Sequence, residues 1–146
     1  EALVALYVST NGGSWLSKNN WLTSTSVCDW HGITCSGDVA MRLELGSNNL
    51  QGSVPTEIGY LTQLEYMILQ NNTLTGPIPT HLGELSGLEI LLVTRNDLTG
   101  MMPDEVCSLR TTNDGALLNL DVDCEEVDCS CCTGCCYDGG FCWLYP

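Results

Sequence analysis

The 146-residue chain is long enough for one domain and short for two. Apolar residues make up 44 % of it and charged residues only 15 %, which supports a buried core and argues against a disordered tail. With 4 Lys and Arg against 18 Asp and Glu, the formal charge of −14 argues against nucleic-acid binding and docking on anionic lipid, and no apolar run approaches membrane-spanning length.

In chain order, Glu1-Ala2-Leu3 reads as the inside of a helix and not as a secretory signal, as in a processed or partial chain. Ala2-Leu3-Val4-Ala5-Leu6-Tyr7-Val8 predicts an apolar helix, stopped by Asn11-Gly12-Gly13. Trp15, Trp21 and Trp30 add large surfaces to bury. Thr23-Ser24-Thr25-Ser26 offers hydroxyls for O-linked sugar, and Cys28-Asp29-Trp30-His31-Gly32-Ile33-Thr34-Cys35 follows it.

From here the chain repeats itself. Asn48, Asn72 and Asn96 are 24 residues apart, and so are Leu50, Leu74 and Leu98, Gly52, Gly76 and Gly100, and Pro55, Pro79 and Pro103. Upstream of each Asn stands an alternating apolar pair: Leu43/Leu45, Met67/Leu69, Leu91/Val93. Period two predicts a short strand with one buried face. The Asn that follows can bond turn backbone through its amide, and successive units then build a ladder of amides. Each Gly permits a turn that a Cβ resists, and each Pro is predicted in the first turn of a short helix. No unit can bury its own apolar side, so the units must stack. Leu117, Leu120 and Val122 fit a degenerate fourth unit that lacks the ladder Asn and the Gly/Pro turn.

The unit L-x-x-L-x-L-x-x-N-x-L-x-G-x-I-P-x-x-L-G-x-L resembles the plant-type leucine-rich repeat over about residues 40–110. The resemblance implies an α/β fold: a right-handed solenoid forming a short horseshoe, with a helical N-terminal cap over 1–39. Three repeats and the degenerate fourth occupy 40–123, and a disulfide-rich C-terminal cap occupies 124–146. The Cys28–Cys35 segment looks like the N-terminal cap of secreted members, whose two cysteines are bridged, which implies the pair Cys28–Cys35. The short loop between them suits such a staple.

Ten cysteines form a dense, even set, and reducing compartments seldom keep such a set, so an extracellular or cell-surface protein is expected. Eight of them, Cys107, Cys124, Cys129, Cys131, Cys132, Cys135, Cys136 and Cys142, follow residue 106 and are expected to pair among themselves. They resemble the Cys-rich ends of some microalgal leucine-rich repeat proteins. Eight cysteines allow 105 pairings, so connectivity stays open. Cys129-x-x-Cys132-x-x-Cys135 also has zinc-ligand spacing, but disulfides fit the context better, and no metal is expected. The run Asp121, Asp123, Glu125, Glu126 and Asp128 lacks the central glycine of a calcium loop and reads as a solvated acidic face.

No catalytic set stands out: His31 and His81 have no evident nucleophile to serve, and no cofactor is implied. The candidate binding residues are Tyr66, Ile68, Gln70, Ile90, Leu92, Thr94 and Arg95, at variable strand positions that the resemblance places on the concave face. Tyr66, Ile68, Ile90 and Leu92 put an apolar group where solvent is expected, the mark of a contact site. Asn71-Asn72-Thr73 is an N-glycosylation sequon, which makes Asn71 a candidate glycan acceptor. The expected role is therefore non-catalytic protein binding or structural assembly, with a protein partner or a second copy, in a homo-oligomer or filament. The alternative is a recognition module, either a receptor ectodomain fragment or an inhibitor of a secreted hydrolase.

Overall fold

The structure, a computed structural model, describes residues 1–111, 115–137 and 141–144. Short stretches of the expected fourth unit and of segment 124–146 therefore lie outside the described residues. The fold is mixed α/β. Helix α1 (Ala2–Ser9) leads into strands β1 (Ile33–Ser36) and β2 (Val39–Glu44). Next come β3 (Gln51–Gly52), β4 (Tyr66–Ile68), β5 (Thr73–Gly76), β6 (Ile90–Leu92), β7 (Asp97–Leu98) and β8 (Gly100–Met101). Helix α2 (Asp104–Cys107) precedes β9 (Asn119–Asp123), β10 (Val127–Asp128), β11 (Gly134–Tyr137) and β12 (Phe141–Leu144).

The repeat period becomes a sheet. Strands β2, β4, β6, β9 and β11 run parallel, one repeat beside the next, with antiparallel β1 and β12 at the two edges. The register aligns Leu43, Met67, Leu91 and Leu120, which are all fully buried. On the opposite side of each coil β3, β5 and β7 form a second parallel ladder, and β8 pairs with β10. Between these sheets lie Leu50, Leu74 and Leu98, and Ile58, Leu82 and Val106. Each coil thus packs its apolar side against its neighbours', so stacking buries what a single unit would leave exposed.

The prolines sit one residue earlier than expected. Pro55, Pro79 and Pro103 hold extended backbone (φ −78°, −72° and −61°) just before the 3-10 turns Thr56–Tyr60 and Thr80–Glu84 and before α2. Their carbonyls accept the first turn bonds, from the N–H groups of Ile58, Leu82 and Val106 at 3.2, 3.1 and 3.0 Å. A proline carbonyl can do this while its missing N–H costs nothing.

The ladder runs through the buried core. Asn72 Oδ1 accepts from the N–H groups of Asn48 and Leu50 at 3.0 Å each, and Nδ2 donates to the carbonyls of Leu45 and Leu69 at 2.9 and 2.8 Å. Asn96 repeats the pattern one coil on, accepting from Leu74 N–H and donating to Leu69 and Val93 carbonyls. Asn48 instead grips the N-terminal segment: its Oδ1 accepts from Ser17 N–H and its Nδ2 donates to Ser17 O. The fourth unit lacks the ladder Asn, and Asp123 takes over from an earlier strand position. Its carboxylate accepts from the N–H groups of Arg95 and Asn96 at 2.8 and 3.0 Å.

At the N-terminal end Tyr7, Trp15, Trp21 and Trp30 pack ring to ring, with successive centroids 4.7 to 5.1 Å apart and Tyr7 also stacked 5.9 Å from Trp21. Trp15 and Trp21 donate their indole N–H to the carbonyls of Thr10 and His31 at 3.0 and 2.9 Å. All ten cysteines are bridged, as Cys28–Cys35, Cys107–Cys131, Cys124–Cys135, Cys129–Cys132 and Cys136–Cys142.

Candidate interaction face

Side chains alternate along a strand, so each residue next to a core leucine points to the other side of the sheet. The register therefore draws two outward rows: Arg42, Tyr66, Ile90 and Asn119, then Glu44, Ile68, Leu92 and Asp121. Tyr66, Ile68, Ile90 and Leu92 occupy adjoining places in these rows, and all four are half-buried. They shelter one another without being covered. Gln70 and Thr94, farther along, are half-buried too, and Arg95 and Asn71 are exposed.

Polar groups frame this apolar centre. The Arg42 guanidinium lies 3.9 Å from the Tyr66 ring centroid, a cation–π contact. Tyr66 donates its phenol to Glu89 Oε2 at 3.0 Å. That bond and the Glu89 charge push the phenol above its ordinary value of 10.0, burial adds to the rise, and Arg42 opposes it. Glu89→Gln is therefore expected to lower the Tyr66 pKa, read as a near-ultraviolet absorbance titration against Tyr66→Phe. A raised folded-state pKa favours the folded state below the ordinary value and loses that contribution as pH climbs through the folded value. Removing Glu89 should narrow this alkaline loss. Two buried polar atoms on the same face, Arg42 Nε and Gln70 Oε1, have no hydrogen-bond partner.

The loop edge beside the rows is shaped by a backbone feature the sequence did not announce. Ser47, Asn71 and Arg95, at equivalent places in three coils, are left-handed with φ of 55°, 57° and 56°. Arg95 reaches across to Asn71 Oδ1 at 3.3 Å. Within the sequon, the Thr73 hydroxyl donates to the Leu50 carbonyl at 3.1 Å, while Asn71 stays exposed.

The acidic run is partly engaged in structure. Asp121 accepts from the Thr133 hydroxyl at 2.9 Å, and Asp123 serves the ladder. His31 and His81 are both exposed, on different elements, and are not brought to the sheet face. Among the described residues no cluster of metal-ligating side chains occurs, and no helix is long and apolar enough to cross a membrane.

Comparisons with known proteins agree with this architecture. Residues 63–85 match the Leucine Rich Repeat family. Leucine-rich repeat receptor protein kinase EMS1 of Arabidopsis thaliana is 37 % identical over 68 residues, 47 % of this chain but only 6 % of that protein. The ectodomain of the receptor kinase SOBIR1 from Arabidopsis thaliana superposes with a TM-score of 0.63 at 24 % identity, covering 88 % of this chain and 66 % of that one. PEPR1 in its complex with AtPEP1 gives a TM-score of 0.60 at 26 % identity over 73 % of this chain and 16 % of PEPR1. The plant peptide hormone receptor RGFR1, in complex with RGF2, gives 0.51 at 29 % identity over 57 % of this chain and 13 % of RGFR1.

Proposed function

We infer, for a chain whose leucine-rich repeats are similar to those of plant receptor-kinase ectodomains, that it is a non-catalytic protein-recognition module. It works outside the cell, as a short right-handed solenoid. The N-terminal segment 1–39, which begins with α1, closes one end, repeats 40–123 form the body, and the Cys-rich segment 124–146 closes the other. Its binding surface is the outward face built on Tyr66, Ile68, Ile90 and Leu92, extended by Gln70, Thr94 and Arg95. The observation that carries this reading is the apolar centre on that face, flanked by Arg42, Glu89, Glu44 and Asp121. An apolar patch framed by polar groups is the surface that repays desolvation on binding.

Two further facts support it. RGFR1 is a plant peptide hormone receptor, and 13 % of its chain superposes on this one. Five disulfides suit an oxidising, extracellular setting. A glycan on Asn71 would stand beside Arg95 and limit access from that side.

The test is a displayed random-peptide library panned on the full chain, with counter-selection on the double variant Ile68→Asp/Leu92→Asp. Both side chains are only half-buried, so the variant keeps its core. Peptides that bind the parent at least about ten-fold more tightly than the variant are expected, a difference of about 1.4 kcal/mol. Equal binding to both proteins would remove this face from the proposal. Light scattering across protein concentration separates a foreign partner from a second copy: a particle of many chains, lost in the double variant, would assign the face to self-assembly.

A further inference from the structure

We propose that the N-terminal end of the stack carries a second docking site, separate from the sheet face, for a basic apolar segment of a partner protein. Helix α1 is apolar around its whole circumference, ALVALYVS, yet only one side is covered. Leu3 and Leu6 pack into the core, whereas Val4 and Val8 are 42 % and 71 % exposed. A helix without a polar side belongs in a fully covered position.

Grooves flank Val4 on both sides. One, of about 650 Å³, lies between α1 and the start of the Thr56–Tyr60 turn, lined by Val4, Ala5, Val8, Ser9 and Pro55 together with Glu1 and Glu57. The other, of about 310 Å³, runs from Val4 to Val27, Val39 and Leu61, with Asp38 among its lining residues. Glu1 and Val4 line both, so the two hollows adjoin. Trp30 lines the second; it is 7 % exposed, and its buried indole N–H has no acceptor. Two adjoining apolar hollows suit two apolar anchor side chains from one segment.

Charge selects the occupant. Every ionisable residue lining the grooves is acidic: Glu1, Asp38 and Glu57. A second copy would bring carboxylates to carboxylates. It has only four basic side chains to offer, and each makes a contact at home: Lys18 with the Gly13 carbonyl, Arg42 with the Tyr66 ring, Arg95 with Asn71 and Arg110 with the Leu117 and Leu118 carbonyls. Lys or Arg flanking the apolar anchors meets the three carboxylates, and complementary charge also speeds encounter.

The probes are a synthetic peptide of leucines at helical spacing flanked by lysines, and its counterpart with glutamates for lysines. Each is titrated calorimetrically into the full chain and into Val4→Ser/Val8→Ser, Glu57→Gln and Ile68→Asp/Leu92→Asp. The lysine peptide is expected to bind the parent and the sheet-face variant alike. It should bind the valine variant about ten-fold more weakly and the Glu57 variant several-fold more weakly, while the glutamate peptide fails. Val4 and Val8 are exposed, so their replacement leaves the fold intact, and unchanged melting confirms that loss of binding is local. Absence of lysine-peptide binding, equal binding of the two peptides, or affinity lost only in the sheet-face variant would each overturn the proposal.

Discussion

Replacing Asn72 with Ala is expected to destabilise the protein by about 3–5 kcal/mol, since each buried polar group stripped of its partner costs roughly 1–3 kcal/mol. The side chain is inside the stack, where it satisfies two N–H groups and two carbonyls belonging to two coils. Alanine strips this partner from the Asn48 and Leu50 N–H groups and the Leu45 carbonyl inside the core, while the Leu69 carbonyl still accepts from Asn96 Nδ2. For a domain of this size the change corresponds to a fall in Tm of about 10–15 °C. Thermal melting with disulfides intact measures it, and exposed Gln63→Ala supplies the comparison, with an expected change within about 0.5 kcal/mol. Equal melting of the two variants would mean that the ladder amides are replaceable by solvent.

Gly52→Ala is expected to cost about 2–4 kcal/mol, against roughly 1–2 kcal/mol for Gly76→Ala or Gly100→Ala. All three glycines have positive φ, at 108°, 79° and 93°, so each substitution carries a backbone penalty. Only at Gly52 would the new Cβ also lie 2.2 Å from the Ser9 carbonyl oxygen, whereas Gly76 has its nearest neighbour at 3.8 Å and Gly100 has open space. Ser9 ends helix α1, and next to it Thr10 accepts the Gln51 N–H at 3.0 Å. The added methyl must therefore push α1 away from the first coil. The excess over the other two variants reads the worth of this contact, and hydrogen exchange should rise specifically over Ala2–Ser9. A Gly52 variant no worse than the Gly100 variant would show that α1 adjusts freely.

The repeat was legible because its physics is nearly one-dimensional. Leu43, Met67 and Leu91 meet across adjoining strands, and the 24-residue spacing in the chain is the spacing of one coil to the next. The Asn ladder follows from the same period. The outward apolar residues were legible too, because alternation places Tyr66 and Ile68 opposite Met67 without any knowledge of the rest of the fold. The proline position was missed by one residue because the turn bond is accepted by the proline carbonyl, which a pattern of residue types does not display.

Other features depend on residues that are far apart in the chain. Asp123 substitutes for the absent fourth Asn because its carboxylate arrives at the N–H groups of Arg95 and Asn96 from a different strand position, so no fixed spacing could reveal it. The approach of Ser9 to Gly52, and the uncovered side of α1 with Glu1 and Glu57 at its groove, arise only when the N-terminal segment folds back on the first coil. For the cysteines, the resemblance implied Cys28–Cys35, which the structure contains, and number and crowding predicted bridging of the other eight, but their partners follow from which Cα atoms the chain brings together, as Cys107 and Cys131 are brought to 5.6 Å. What the sequence by itself determined is whatever recurs at a constant separation: the stacked strands, the inward leucines and the amide ladder. Tertiary structure alone decided the pairing of the eight C-terminal cysteines, the seat of α1 and the carboxylate that ends the ladder, because those contacts depend on how the non-repeating end segments fold onto the stack.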